Sequence, residues 1–572
     1  MRSIGRHWQP LAALAASVAI AGVIVAAQPI RAPWWYHADA DATYTGSSLN
    51  LAGGDHIIFL GHPGIPLQEA LASAFLAEYS ARRALGDDHS IREFVDARLL
   101  DLDRTRVVFR GVGTLWYLLG AVALCIAAAR VTGSWLWGAW GGALWIGAPN
   151  LAPMSIQYRP DAVHAILVVC AGLLLARAAF ERRLGPLVAA ATVIGLTVTI
   201  KAHALGLLVP LAAVVLFRAP SSLAVRPALT TAGAWLQRRR VLVVPALALW
   251  VVTGVALNRG QGYPVSTSDV ITAVALLGGL AAGALTLSSR VPYVVRVAGV
   301  VTAAFCAGLA LPATLAAHDT VAAITEIART ATGGGVNSSG GVETGSPRDV
   351  FGPLLRQTTV LYALAVVAAI VGWRRADVRP AVWVLGATSL GAMGLARLGT
   401  PHYFAPSFLL SVLAVAWLCV RVNRLAGLLL AGMLAVWIVG VQFRYRDGNT
   451  DVFLTLREQA EPVYEQEVGQ LGSGSAILTP SEHLYLPVPD THYFEFVRPH
   501  VVRTPKVEYR TLPATQPGAE FVLERGLEVP AYVGPRVGSL SAAANARLDL
   551  GETPVVQPIT HTELRRLAEG GR

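Results

Sequence analysis

Residues 161–183 read DAVHAILVVCAGLLLARAAFERR, and this stretch decides the fold class. Some twenty predominantly apolar residues are enough to cross a bilayer core about 30 Å thick. This run opens on an acid, Asp161, and leads to a basic cluster, Arg177, Arg182 and Arg183. An apolar segment with arginine at one end is the signature of a membrane span whose basic end faces the cytoplasm. The same alternation continues outward in both directions. Apolar spans are expected near 10–29, 111–129, 135–152, 161–179, 186–200, 204–217, 241–257, 270–288, 297–316, 354–372, 381–396, 405–420 and 425–441. Arginines (Arg130, Arg218, Arg226, Arg238 to Arg240, Arg290, Arg296, Arg374, Arg375, Arg379, Arg421, Arg424) fall in the turns on one side. The expectation is an all-α polytopic membrane protein of about 13 transmembrane helices. The N-terminus is then cytoplasmic and the C-terminus outside, in the plasma membrane of a bacterium.

Composition agrees. The 572 residues are 54% hydrophobic and 14% charged, against about 25% charged in ordinary globular chains. The net charge of +10 does not point to nucleic acid, because the arginines flank apolar segments instead of forming a stripe. Lysine occurs only at Lys201 and Lys506. The four cysteines, Cys125, Cys170, Cys306 and Cys419, sit far apart inside apolar runs, a pattern of small buried hydrophobes and not of a zinc site or disulfide framework. The first apolar segment carries Val25-Ala26-Ala27, which suits a signal peptidase; it is read here as a retained span.

Two domains follow: residues 1–442 as the transmembrane domain, and 443–572, where apolar content falls, as a soluble extracytoplasmic α/β domain. In the tail, Ser475–Leu478, Tyr493–Val497 and Glu520–Leu523 read as strands, with helical stretches near 453–470 and 561–569. Within the membrane domain, 30–110 and the Gly-rich 317–353 are outer segments too long for turns. In the first, 66–85 and 90–106 show helical periodicity, with Gln68, Glu69 and Glu78 between the apolar positions of the former. Gly61-His62-Pro63-Gly64 ahead of it suits a tight turn.

Ionisable residues at the mouth of a span are costly and mark functional sites. The first outer loop carries Asp39 and Asp41 shortly before Tyr44, under the aromatic run Trp34-Trp35-Tyr36. A carboxylate there can serve as a general base toward a hydroxyl or help to hold a divalent cation; an aromatic-anchored solvated loop is the plainer alternative. Tyr158-Arg159-Pro160-Asp161 lies at the outer mouth of the span quoted above, with His164 one turn inward. Arg159 suits bidentate contact with a phosphate, Asp161 can orient it or bind a metal with Asp41, and an Arg–Asp helix cap is the structural alternative. Lys201 and His203 sit in an apolar hairpin, where the ammonium either meets an anion or snorkels to the interface. His402 and Tyr403 link two late spans, as substrate contacts or as part of an aromatic belt. By span parity all four groups share one face.

Asp39-Ala40-Asp41-Ala42-Thr43-Tyr44, His62-Pro63, Arg159-Pro160-Asp161, Gly195 to Lys201 and Pro401-His402-Tyr403 together resemble the GT-C superfamily of integral-membrane glycosyltransferases, whose members include protein O-mannosyltransferases, aminoarabinose transferases and actinobacterial arabinofuranosyltransferases. The resemblance covers most of 1–440. Many relatives have adjacent acids where this chain has Asp-Ala-Asp. The resemblance implies a sugar donor carried on a polyprenyl phosphate, a glycan, lipid or protein acceptor on the outer face, and inverting displacement with Asp39 or Asp41 as base. Tyr44, His62, Arg159, Asp161, Lys201, His203, His402 and Tyr403 would surround the donor phosphate and substrate. A transporter or flippase for lipid-linked sugars is the competing class; no convincing internal repeat is visible in the sequence.

Overall fold

The computed structural model describes residues 8–26, 38–57, 64–148, most of 151–221, 267–285, 291–331, 347–394, 404–422, most of 425–440, and four short strands between 476 and 559. The chain clusters into two units. The first comprises Met1–Gln28, Leu60–Ser73 and Val112–Gln442, and the second Pro29–Phe59, Ala74–Gly111 and Phe443–Arg572.

Helices follow the apolar runs closely. They are α1 (Trp8–Ala26), α2 (Ala38–Ala52), α3 (Ile65–Ala84), α4 (Ile91–Leu100), α5 (Leu102–Thr132), α6 (Trp135–Leu144), α7 (Asp161–Glu181), α8 (Leu184–Ile200), α9 (Leu208–Phe217), α10 (Thr267–Leu285), α11 (Tyr293–Ala310), α12 (Ala317–Ala331), α13 (Pro347–Trp373), α14 (Arg379–Gly394) and α15 (Ala405–Arg421). Among the described residues, four helices are long and apolar enough to cross a membrane: Trp8–Ala26, Arg104–Thr132, Asp161–Glu181 and Tyr293–Thr314. Six further apolar helices, including Leu184–Ile200, Ala405–Arg421 and Gly427–Trp437, are shorter. Large apolar side chains such as Val209, Ile271, Leu277, Leu390 and Met433 stand exposed on the outer surfaces of the bundle. Scattered around so many helices, they suit a hydrocarbon solvent and not water. The chain is a predominantly helical, multi-pass membrane protein.

In the first unit, α1 packs on α6, α7 on α8, and α8 on α11. One core gathers Tyr117, Leu144, Trp145, Phe408 and Leu409, with the Tyr117 and Trp145 rings 5.7 Å apart. A second joins Val168, Leu175, Leu187, Ile194, Leu211 and Val301. Helices in lipid gain little from burying apolar surface and depend on close packing. The α8–α11 crossing shows how: a Cβ on Gly195 would lie 2.2 Å from the Phe305 carbonyl oxygen, and one on Gly308 would lie 2.0 Å from that of Thr192. Glycine at both positions lets the two backbones touch. The same device joins the 3₁₀ turn Ala202–Leu207 to α14 through Gly206 and Gly391.

Several expectations change. The expected span 135–152 is helical only to Leu144, followed by a 3₁₀ turn at Trp145–Gly147. The amphipathic stretch 90–106, which opens on a Ser90–Glu93 capping box, breaks at Asp101: that residue leaves helical geometry at φ −103° and ψ 85°, and its Oδ1 takes the Arg104 N–H at 3.1 Å at the start of α5. The outer segment 317–353 is no plain Gly-rich loop: it holds the amphipathic α12 and the start of α13. The expected span 241–257 lies outside the described residues.

In the second unit, α2 packs on α4. Arg98 of α4 is buried, stacks on Phe94 with its guanidinium 5.3 Å from the ring centre, and pairs with Glu78, which also takes Arg82 at 2.9 Å. The tail supplies a four-stranded sheet of β1 (Ala476–Thr479), β2 (Arg510–Pro513), β3 (Val529–Val533) and β4 (Val555–Ile559) in the order β2-β1-β3-β4. β1 runs parallel to β2 and β3, and β3 antiparallel to β4. The expected strands 493–497 and 520–523 and the helices 453–470 and 561–569 lie outside the described residues.

Candidate functional site

Two chain reversals bring the polar residues of the first unit together. α7 begins at Asp161, directly after Pro160, and α8 ends at Ile200 with Lys201 as its C-terminal cap. Helices joined by the short turn at Arg182–Arg183 run antiparallel, so the start of α7 and the end of α8 meet at one end. An acid in the first turn and a cation past the last turn each complement the helix dipole. Lys201 departs from helical geometry with φ −148° and ψ 126°, while its N–H still donates to the Thr197 carbonyl oxygen at 2.9 Å.

There the Lys201 ammonium donates to Asp161 Oδ1 at 2.5 Å. Arg159 Nε lies 3.6 Å from Asp161 Oδ2. Asp161 and Lys201 are buried, Arg159 is half-buried, and His164 lies buried one turn further into α7. Among the described residues, two cations thus meet one carboxylate. A buried pair is costly to desolvate, so its presence at a helix mouth suits a site that receives an anion. Both alternatives offered by the sequence meet here, since the Arg159–Asp161 contact also sits at the helix start.

A second group of polar residues lies on α3. This helix starts immediately after Gly64, whose φ of 149° is one that L side chains rarely adopt, and the Tyr158 hydroxyl, next to Arg159, hydrogen-bonds to the Leu67 carbonyl oxygen. Gln68 and Glu69 follow. The sequence reading set them among polar positions between apolar ones, but both are buried. Glu69 takes the Ala316 backbone N–H, and Asp319, in the first turn of α12, is buried nearby. Burial pushes the Glu69 carboxyl well above its ordinary value of 4.5; the Asp319 charge adds to that rise, and the Ala316 hydrogen bond opposes it. Both amide atoms of Gln68 and Oε1 of Glu69 are buried without a hydrogen-bond partner.

Sequence reasoning missed this acidic pair. The available signal was the register: Gln68 and Glu69 fall beside Leu67 and Leu71, two positions that are fully buried. In 317–331 the signal was the helical spacing of Ile324 and Ile327, both buried on α12 along with Asp319.

Of the residues expected at the site, the structure brings together Arg159, Asp161 and Lys201. Asp39 and Asp41 lie on the backbone of α2, in the second unit, and their side chains are outside the described residues, as is that of His203. His62, His402 and Tyr403 are also outside them. Tyr44 is buried on α2, its carbonyl oxygen taking the Ser48 hydroxyl at 2.6 Å. Asp161, which with Asp41 could share a divalent ion, faces cations with both oxygens, and the Asp41 side chain lies outside the described residues. Among the described residues no three His, Cys, Asp or Glu side chains group as a metal site.

The opposite ends of α7 and α8 are basic. Arg182, at the α7 C-terminal cap, adopts φ 52° and donates from Nε to the Ala219 carbonyl oxygen at 3.2 Å. Arg218 Nε donates to the Ala179 carbonyl oxygen at 3.2 Å. The buried Lys201–Asp161–Arg159 cluster and the arginine-rich turns thus occupy opposite ends of one helix pair.

No family model and no curated protein matches the chain. Among solved structures, it is similar to ArnT from Cupriavidus metallidurans in the apo state, with 15% identity over 96% of this chain and 98% of that one, at a TM-score of 0.29.

Proposed function

We propose that the chain is a GT-C-type membrane glycosyltransferase that moves a sugar from a polyprenyl-phosphate donor to an acceptor hydroxyl on the outer face of a bacterial plasma membrane. The observation that carries this reading is the buried Lys201–Asp161–Arg159 cluster, with two cations on one carboxylate, at the end of the α7–α8 pair opposite its arginine-rich turns. Reading arginine as the mark of the cytoplasmic side, we take the cluster to lie at the outer headgroup level, where a lipid-borne phosphate lies. In this reading Arg159 and Lys201 hold the donor phosphate, with Tyr44, His62, His203, His402 and Tyr403 completing the walls. Asp39 or Asp41 accepts the acceptor's proton as its oxygen attacks the anomeric carbon, and the bond from that carbon to the phosphate oxygen breaks. The charge growing on the departing phosphate is where the cations act. One displacement inverts the anomeric centre. The membrane domain comprises about 13 spans in 1–442, with the N-terminus cytoplasmic and 443–572 folded outside; no step runs through a metal.

The test is incubation of the purified protein with several polyprenyl-phosphate sugars and candidate glycan acceptors, scored by product. Asp39→Ala or Asp41→Ala is expected to abolish transfer and leave folding intact. Arg159→Gln or Lys201→Met is expected to lower it by at least about tenfold, the value of one charge-assisted contact. Full activity in both aspartate variants and in their double variant overturns the base assignment. Transport without product formation makes the protein a flippase.

A further inference from the structure

At the arginine-rich end of the first unit, the segment 218–221 is tied to the C-terminal turn of α7 from both sides. Arg182 Nε donates to the Ala219 carbonyl oxygen and Arg218 Nε to that of Ala179, each at 3.2 Å. The Ser221 N–H donates to the Arg182 carbonyl oxygen at 2.9 Å. A third element joins them: the Tyr293 hydroxyl, at the start of α11, donates to the Pro220 carbonyl oxygen at 2.6 Å. The Arg296 guanidinium stacks over that tyrosine ring, 5.5 Å from its centre, and the charge of Arg182 also reaches Tyr293. Arg182, Arg218 and Arg296 therefore surround one Tyr–Pro hydrogen bond.

The local charge is one-sided. Arg177 and Arg183 share the single carboxylate of Glu181, at 2.7 and 3.5 Å. Arg182 and Arg218 each donate from Nε to a carbonyl oxygen, Arg182 standing exposed and Arg218 part-buried. Arg296 Nε is buried with no acceptor. Among the described residues here, five arginines meet one glutamate. A charge-assisted donor buried without a partner is costly, and guanidinium groups gathered on adjoining helix ends suit the oxygens of a phosphate. Phe180, Phe217, Leu216 and Val294, exposed beside the arginines, supply an apolar rim.

We infer that Arg182, Arg218 and Arg296 form a cradle for the phosphate of an anionic phospholipid in the leaflet at this end, its acyl chains lying along Phe180 and Phe217. Basic pockets between helix ends suit such headgroups. The choice of a lipid over a free anion rests on the apolar rim, which a soluble phosphate does not use. The site is independent of the proposed sugar transfer, on the far ends of the same helices.

The test is native mass spectrometry of the full chain in detergent, titrated with phosphatidylglycerol, with phosphatidylcholine and with inorganic phosphate. Retention of phosphatidylglycerol over phosphatidylcholine is expected, undisturbed by inorganic phosphate. Arg296→Gln is expected to weaken it about tenfold, and Arg182→Gln/Arg218→Gln/Arg296→Gln further. Arg130→Gln, an exposed arginine at the end of α5, is expected to leave it unchanged. Equal loss with Arg130→Gln, undiminished retention in the triple variant, or displacement by inorganic phosphate overturns the inference. Should the triple variant fail to fold, judged by its melting in phosphatidylcholine, Arg296→Gln alone decides, wild-type retention counting against the cradle.

Discussion

Replacing Lys201 by methionine removes the ammonium and keeps much of its apolar stem. At an effective dielectric of about 20, unit charges at the observed 2.5 Å attract by roughly 7 kcal/mol, and those at the 3.6 Å of Arg159 by roughly 5 kcal/mol. The larger share of the compensation for Asp161 is lost, and the longer contact cannot replace it. Breaking one side of a buried pair costs about 3–5 kcal/mol, because the other charge stays behind. Lys201→Met is therefore expected to lower the unfolding free energy by that amount, measured by equilibrium unfolding in mixed micelles with tryptophan fluorescence. Replacing the whole pair by apolar residues is often close to neutral, so Lys201→Met/Asp161→Leu is expected to return to within about 1 kcal/mol of the parent. Recovered stability without recovered anion binding would separate the structural from the functional share of the pair. The reasoning fails if Lys201→Met falls within about 0.5 kcal/mol of the parent, the range of an ordinary surface change, or if the double variant is as unstable as the two single ones added together.

Glu69 has a raised folded pKa, so the native chain holds its proton more firmly than the unfolded chain does; that stability is present at acid pH and is lost as pH rises from about 4.5 through the folded value. Glu69→Gln is expected to flatten this part of the stability–pH curve, read by melting between pH 4 and 8 (roughly the usual range of maximal stability and below it); an unchanged slope refutes it. Gly308→Ala places a methyl against the Thr192 carbonyl oxygen and is expected to cost about 1–3 kcal/mol, checked by detergent unfolding, with a neutral result arguing against the α8–α11 contact. Ser90→Ala removes the hydroxyl that takes the Glu93 N–H at 3.3 Å and is expected to cost about 1 kcal/mol, seen as faster amide exchange across α4.

Apolar runs and arginine placement were enough to locate the helices, because bilayer thickness sets their length and headgroup charge sets their flanks. The expected 161–179 is observed as Asp161–Glu181, and 405–420 as Ala405–Arg421. The meeting of Asp161 and Lys201, 40 residues apart, was also legible, since one hairpin returns the chain to the same depth. Burial outside the spans was harder to read. Gln68, Glu69 and Asp319 occupy helices of mixed polarity, where periodicity names an apolar face but not which polar neighbours the surrounding elements cover. Asp101 broke an apparently continuous helix because its carboxylate caps the start of α5 through the Arg104 N–H, a local hydrogen bond that one periodic pattern does not reveal.

The contact of Gly206 with Gly391 follows Lys201 by only five residues, so the turn carrying the ammonium is clamped to α14 by main-chain atoms and not by adjustable side chains. A cation fixed in this way is ordered before any partner arrives, and little chain freedom is left to be lost at the encounter. An anion docking there should show a small entropic penalty in titration calorimetry, and widening the clamp with Gly206→Ser should make that penalty larger while the number of contacts to the anion stays the same.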